Sequence, residues 1–411
     1  MIRTGWLSER ARRAVERPSA IREIMSLVAD YKRHPEKYPR RLIYMAGGWP
    51  QDPPPEFLRE ALVEVAEREF ASTAGYPPTR GDPEFVDALA AYEREVFGRT
   101  VESEEILSGL GSTALTGALF LALLDEGSEL ILASPAYLNY ERQVSVEVGR
   151  VRIRRWPILR EGRFDPDLEE LKEMVTENTR AILISTPGNP DGQVFSDEQL
   201  RAVSDLAEDR GVWLLIDVAY RAFHYDGSPR YLSRERRDHE VWICSLSKEL
   251  RIPGWRVGYV YADPGLIRAL ETIEQARTLA PCRPIQRAIA RMVESVDPGE
   301  LRRYLLEYTP RKYGKVASYT AELLGSVEGL RILEPAGGFY VFFSIEELGV
   351  GSKEFSDGLL RGYQVAVVPG RDFGAEGWIR ASFAPLVEEV ELIEEGVERM
   401  REYVSSLLQR G

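Results

Sequence analysis

The sequence predicts an α/β protein built on a parallel sheet, followed by an α+β unit at the C-terminal end. Three observations predict it. Short apolar runs alternate with helical patterns over residues 102–261, the mark of parallel crossover units. The residues with chemical character fall just past those runs, where open α/β sheets bind ligands. After a long helical stretch at 298–324, strand-like pieces return at 334–341, 367–370 and 378–383.

With 411 residues, 44% hydrophobic and 29% charged, the chain can bury a large core and has the length of two or three domain-sized units. A formal net charge of -13 argues against a nucleic-acid or anionic-membrane partner. Two cysteines (Cys244, Cys282) and three scattered histidines (His34, His224, His239) show neither zinc spacing nor a disulfide framework. No metal is therefore expected, and a reducing cytoplasm is the expected compartment. The longest apolar stretch, 114–124, is too short to span a bilayer, and the charged N-terminus has no signal-peptide core.

Taken in order, the chain opens with a charged helical arm at 8–15. Pro18-Ser19 reads as a helix start with Ser19 as cap and Arg22 in the first turns. A short strand at 42–50 is broken by Gly47 and Gly48. An amphipathic helix at 56–68 leads into a turn-rich loop, 75–81. The strand near 106 then runs into a helix whose first residues are Ser112 and Thr113. Free N–H groups beside two hydroxyls suit a phosphate, although such a turn alone is often a plain helix cap.

Past the strand at 129–133, Tyr137 can stack on a flat conjugated ring, while Tyr140 reads as core or support. The strand at 180–185 ends in Asn189-Pro190-Asp191-Gly192, a turn sequence. The apolar run 212–216 ends in Asp217, a carboxylate that needs a cationic or hydrogen-bonding partner, with Tyr220 three residues on. The run 241–244 ends in Ser245, and Lys248 and Arg256 follow. A lysine that forms Schiff bases must be partly neutral, and a nearby positive charge such as Arg256 lowers its pKa. Ser245 and Arg256 together can hold a phosphate. Arg380 lies in an alternating strand, opposite in direction to Ile379; its planar fork fits a carboxylate.

The string Ser245-Leu246-Ser247-Lys248, continued by Gly254-Trp255-Arg256-Val257-Gly258-Tyr259, resembles the Ser-x-Ser-Lys-x-x-x-x-x-Gly-x-Arg-x-Gly-Tyr motif of fold-type I, pyridoxal-phosphate (PLP) dependent aminotransferases of class I and II. The resemblance runs from Ser19 to Phe383 in family order. It implies that Lys248 carries PLP and is the catalytic residue, and that Ser112, Thr113, Ser245 and Arg256 hold the phosphate. It further implies that Tyr137 stacks on the ring, Asn189 and Tyr220 bond its O3′, and Asp217 holds its ring nitrogen. Tyr76 and Gly81 match the family's Tyr-x-x-x-x-Gly loop, whose tyrosine reaches the phosphate of the neighbouring subunit. Arg380, with Asn189, would take the substrate α-carboxylate. Asp191 stands where relatives more often have Thr.

Pro18-Ser19-Ala20-Ile21-Arg22 paired with Ala46-Gly47-Gly48-Trp49-Pro50 resembles the 2-aminoadipate and kynurenine aminotransferase branch, in which Gly48 would border the substrate and Arg22 would meet its side chain. Arg277 and Arg283 are weaker candidates for a distal carboxylate. The resemblance implies a homodimer with shared active sites, a large domain at 51–295 with a mostly parallel sheet, and a small α+β domain formed by an N-terminal arm (1–50) and 296–411. The implied reaction moves an amino group between an L-amino acid (2-aminoadipate, glutamate, an aromatic residue or aspartate) and a 2-oxo acid, 2-oxoglutarate foremost. The same apparatus runs C–S lyase chemistry in sister families. A regulator with a winged helix fused to such a domain is a third reading, opposed by the short stretch before Gly47 and the acidic charge.

Overall fold

The computed structural model describes residues 6–16 and 20–409, without the side chains of residues 13–16 and 20–23. The Ser19 cap and the Arg22 side chain therefore lie outside the described residues. In chain order the strands are β1 (Ile43–Tyr44), β2 (Ile106–Gly109), β3 (Glu129–Ser134), β4 (Arg152–Pro157), β5 (Leu159–Arg160), β6 (Arg163–Phe164), β7 (Thr179–Ser185) and β8 (Trp213–Asp217). There follow β9 (Glu240–Cys244), β10 (Gly258–Tyr261), β11 (Arg331–Leu333), β12 (Tyr340–Ser344), β13 (Val365–Ala366), β14 (Val368–Pro369) and β15 (Trp378–Ser382).

Seven strands form the central sheet in the order β2-β10-β9-β8-β7-β3-β4. Both of its faces are covered. In β7, Ile182 and Ile184 enter one apolar cluster while Ala181 and Leu183 enter another; Trp242 and Cys244 against Val241 and Ile243 divide β9 the same way. A period of two with both halves apolar is what a sheet between two helical layers requires.

The exception to parallel pairing is β10, antiparallel to both β2 and β9. The sequence suggested crossover units throughout 102–261. Here the connection from β9 holds only the four-residue helix Leu246–Glu249 and a 3-10 turn at Pro253–Trp255. It stays at the edge of the sheet where β9 ends, so the next strand must return in the opposite direction. The return has a consequence for chemistry: the N-terminal end of β10, with Arg256 before it, lies at the same edge as the C-terminal ends of its neighbours.

The C-terminal unit is an antiparallel sheet in the order β11-β12-β15-β14. The N-terminal segment joins it, since β1 pairs parallel to β13, Met45 N donates to Ala366 O at 2.9 Å, and Ser382 N donates to Met45 O at 2.8 Å. Gly47 is needed at this junction, because a Cβ there would lie 2.7 Å from Cγ of Pro385. The amphipathic helix expected at 56–68 is Glu56–Arg68. The long helix expected at 298–324 is interrupted. A π segment at Tyr304–Tyr308 separates Pro298–Arg303 from Thr309–Gly325, and Thr309 N donates five residues back to Tyr304 O. Pro310 has no N–H to continue the regular ladder, so the register loosens just before it.

Candidate active site

The ends of β2, β3, β7, β8 and β9 converge with the start of β10 on a cavity of about 380 Å³. Ten of the predicted residues line it: Ser112, Thr113, Tyr137, Asn189, Asp217 and Tyr220 from the first crossovers, Ser245, Lys248 and Arg256 from the β9–β10 connection, and Arg380 from β15. Gly48 of the N-terminal segment lines it as well. Tyr76 does not; it is 84% exposed on the loop 75–81. Arg277 pairs with Glu147 and Glu274, and Arg283 with Asp82, so both are engaged in ion pairs away from the cavity. A larger shallow recess of about 960 Å³ around Lys353, Arg361 and Arg371 contains none of the predicted residues.

At one end, helix Ser112–Leu123 points its N-terminus into the cavity. Gly111 precedes it at φ +81°, and a Cβ there would come within 2.9 Å of the Arg256 guanidinium. Gly258 is equally constrained: its Cβ would lie 2.8 Å from both Ser112 N and Cys244 O. The two glycines let a helix N-terminus, a strand and a guanidinium close around one small volume. Arg256 has a left-handed backbone (φ 56°), an arrangement that costs roughly 1 kcal/mol or more for a side-chain-bearing residue. Its guanidinium donates to the carbonyls of Pro253 at 3.0 Å and Leu110 at 3.2 Å. Among the described residues no carboxylate lies within 4 Å of it. Free helix N–H groups, two hydroxyls and an uncompensated guanidinium form a donor set made for a dianionic phosphate.

In the middle stand Lys248 and Asp217. Lys248 Nζ donates to Gly48 O at 2.8 Å. Burial, with the positive charges of Arg256 and Arg380 adding to it and Asp217 opposing, brings its pKa down to about 8. The Arg256 charge expected to lower it does so, but burial is the larger cause. Asp217 closes β8 and is buried; its Oδ2 accepts from Tyr140 OH at 2.5 Å and its Oδ1 from Ala219 N at 2.9 Å. Burial raises its pKa, against those two hydrogen bonds and the charge of Lys248. A cationic ring nitrogen opposite it would oppose that rise and favour the ionised form.

At the other end, Arg380 is 2% exposed in β15. It donates to Asn189 Oδ1 at 2.8 Å and to Ala46 O at 3.0 Å, and its Nε is buried without a partner. Its guanidinium sits over the rings of Tyr340 (4.4 Å) and Phe373 (4.9 Å). No carboxylate of the described residues lies within 4 Å. A buried guanidinium with an unpartnered N–H could hold a carboxylate. Asn189 Nδ2 donates to Tyr220 OH at 3.1 Å, and the Tyr220 and Tyr340 hydroxyls are 3.0 Å apart.

Two aromatic residues without a role in the sequence motifs, Tyr340 and Trp49, also belong to the site. Both line the cavity, with Tyr44 beside Trp49 at 6.3 Å between ring centres. Tyr340 lies in a short strand beside two glycines, and its partner hydroxyl is 120 residues away; no local pattern announces it. Tyr140, read as core or support, is the support of Asp217.

The family described as aminotransferase class I and II matches residues 41–399. The chain belongs to that family. It is an aminotransferase, an enzyme of the transaminase type with the fold-type I architecture, and the lyase alternative is not favoured. The aspartate/prephenate aminotransferase of Thermus thermophilus is 30% identical over 344 residues, 84% of this chain and 86% of the relative. The aspartate aminotransferase of Pyrococcus horikoshii is 29% identical over 365 residues, 87% of this chain and 91% of the relative. A solved structure of a Thermus thermophilus aspartate aminotransferase single mutant superposes with a TM-score of 0.85 at 28% identity, covering 96% of this chain and 99% of that one. Members of the family are PLP-dependent. Among the described residues no helix is long and apolar enough to cross a membrane.

Proposed function

We propose that this aminotransferase holds PLP in the cavity through Lys248, with Ser112, Thr113, Ser245 and Arg256 on the phosphate, Tyr137 over the ring, Asp217 at the ring nitrogen, and Asn189 and Tyr220 at O3′. The observation that carries the reading is the placement of two guanidiniums without a carboxylate partner among the described residues, Arg256 at the Gly111 turn and Arg380 beside Asn189, on either side of a lysine whose pKa burial brings down to about 8. One site suits a phosphate and the other a carboxylate. When bound, PLP supplies an electron sink for charge developing at the substrate Cα.

The chain's own residues do the rest. Arg380 and Asn189 hold the α-carboxylate of the amino acid. Lys248, once free, would take the proton from Cα as a general base and deliver it to C4′ of the cofactor as a general acid, a role served by an amine whose pKa lies near the working pH. Asp217, kept in place by Tyr140 and Ala219, stabilises a proton on the ring nitrogen. Tyr220 and Asn189, bonded to each other, offer donors to O3′.

For the substrate side chain, the cations lining the cavity among the described residues are Lys248, Arg256 and Arg380. Ile24, Met25, Tyr44 and Trp49 cover the side facing the N-terminal helix, a surface that suits an aromatic or apolar side chain. Arg22, two residues before Ile24, is our candidate for reading a distal carboxylate of 2-aminoadipate or glutamate, with 2-oxoglutarate as acceptor. Aspartate, named in the relatives, remains within the proposed range.

We also propose a homodimer, with Tyr76 reaching the phosphate in the other subunit, and a cytoplasmic enzyme. The loop carrying Tyr76 packs on the segment around Leu279 through Thr79 Oγ1 donating to Leu279 O at 2.7 Å, and Phe70, Tyr76 and Leu279 are each exposed. The division into 51–295 and 1–50 with 296–411 is supported by the two sheets. Borohydride reduction of the PLP-loaded protein followed by peptide mass analysis tests the core of the proposal. A pyridoxyl group on Lys248 is expected, and labelling elsewhere or nowhere contradicts it.

A further inference from the structure

Two of the cavity's residues are each followed in sequence by a fully buried charge, and those two charges meet. Arg221 comes directly after Tyr220, and Glu249 directly after Lys248; Arg221 Nε donates to Glu249 Oε1 at 2.7 Å, with exposures of 1% and 0%. The other nitrogens of Arg221 and the second oxygen of Glu249 have partners close by. Arg221 pairs with Glu93 Oε1 at 2.7 Å and donates to Tyr259 OH at 2.7 Å, while Tyr92 OH donates to Glu249 Oε2 at 2.6 Å. Tyr259 donates in turn to Glu93, and the Phe97 ring lies 3.6 Å beneath the guanidinium. Arg99, 3.6 Å from Glu93, balances the second carboxylate.

The local backbone needs such a tie. Lys248 stands in a helix of only four residues, and Tyr220 precedes a three-residue 3-10 turn. Segments this short do not hold themselves in place. A buried ion cluster is also poor evidence of stability, since apolar residues of similar volume often serve as well; what it adds is a defined geometry. Three nitrogens in a fixed planar fork, each hydrogen-bonded to its own acceptor group, set both the position and the tilt of the two backbones that carry Tyr220 and Lys248.

We propose that the Arg221–Glu249 pair is a positioning device that sets the Lys248 amine relative to Tyr220 and Asp217, and so tunes proton transfer by Lys248 without touching substrate or cofactor. The inference rests on the reading that Lys248 carries PLP. The groups facing the Lys248 amine from the cavity side, Arg256, Asp217 and Arg380, are untouched by changes at 221 and 249.

The test uses PLP-loaded protein: the parent, Glu249→Gln, Arg221→Lys, and the double change Arg221→Met with Glu249→Met, which removes both charges together. Glu240→Gln is the matched control, because Glu240 is also 0% exposed and bound by Ser204, Tyr231 and Arg234, but borders no cavity residue. The readouts are the midpoint of the pH titration of the visible cofactor band, kcat and KM separately, and the thermal midpoint. In the double variant the band midpoint should move by about 0.5 pH unit or more, and kcat should fall about tenfold to a hundredfold while KM stays within about twofold. Arg221→Lys, which keeps charge but loses the fork, should lie between. The control should lose thermal stability alone. Variants with the parent's band midpoint and kcat, whatever their melting temperature, overturn the proposal. If the double variant does not fold, Glu249→Gln carries the same two outcomes. A parent without a Lys248-dependent band would instead sink the cofactor reading.

Discussion

Replacing Arg380 by Met tests whether the buried guanidinium is an unfilled half of a substrate contact. Two of its N–H groups are committed to Asn189 and Ala46, Nε has no partner, and no carboxylate among the described residues balances the charge. Removing one member of a buried, hydrogen-bonded charge pair costs roughly 2–5 kcal/mol. At about 1.4 kcal/mol per tenfold, kcat/KM for the amino acid should fall by roughly 30-fold to about 4,000-fold. The fold should feel much less. Met removes a desolvated charge, which favours the variant, but leaves Asn189 Oδ1 and Ala46 O without a donor at roughly 1–3 kcal/mol each. These effects oppose each other, and the thermal midpoint should stay within about 4 °C of the parent. Arg380→Lys keeps the charge without the planar fork and should fall between. The assay is the single-turnover loss of the cofactor band on adding amino acid, with thermal unfolding in parallel. A variant that keeps kcat/KM within about threefold, or loses activity only by unfolding, would refute the reasoning.

Three further outcomes follow from charge and burial. Asp217→Asn should keep bound cofactor yet lower kcat by roughly 10²–10³, because an amide cannot stabilise a proton on the ring nitrogen; retained turnover in stopped-flow contradicts the role. Lys248 is held at about 8 against an ordinary 10.5, so between those values the unfolded chain carries a proton that the folded chain lacks. Its penalty is full below about 8 and is relieved as pH rises, so cofactor-free parent should gain on the order of 2–3 kcal/mol relative to Lys248→Met between pH 8 and 10.5 in denaturant titrations. Asp191 shows the opposite sign. Burial raises it to about 7 from 3.8, so the folded chain binds the extra proton and stability falls as pH rises between those values. Asp191→Asn should therefore stabilise the protein by roughly 2–4 kcal/mol above pH 7 and little near pH 4, measured by urea unfolding.

Much of the cavity could be read in advance because its residues sit at strand ends, where a switch from apolar run to polar residue marks the sheet edge. Lys248, Asp217 and Asn189 all have that local signature, and the resemblance gave each a partner. What escaped is what depends on distance in space. Tyr340 reaches Tyr220 across two domain-sized sheets, and nothing beside Tyr340 in the sequence points to that hydroxyl. The direction of β10 escaped because apolar runs look alike in either orientation; only the shortness of the connection, with its four-residue helix, reveals the return. The π segment at Tyr304–Tyr308 had one visible sign, Pro310, read as part of a continuous helix. The Arg221–Glu249 pair hid for a different reason: each charge looks like a surface residue beside a catalytic one until the fold buries both. Asp191 looked like a neutral replacement for Thr, yet it is 1% exposed, and burial gives it a titration of its own.

The most direct test of the central claim is a half-reaction. Protein loaded with PLP is mixed with one amino acid at a time and no acceptor, while the visible cofactor band, the 2-oxo acid and ammonia are followed together. Transamination by this cavity predicts one equivalent of 2-oxo acid per site, conversion of the cofactor to its amine form, and no ammonia, with glutamate and an aromatic amino acid, aspartate or 2-aminoadipate among the active donors. Ammonia released without conversion of the cofactor, or no response to any amino acid, would contradict it.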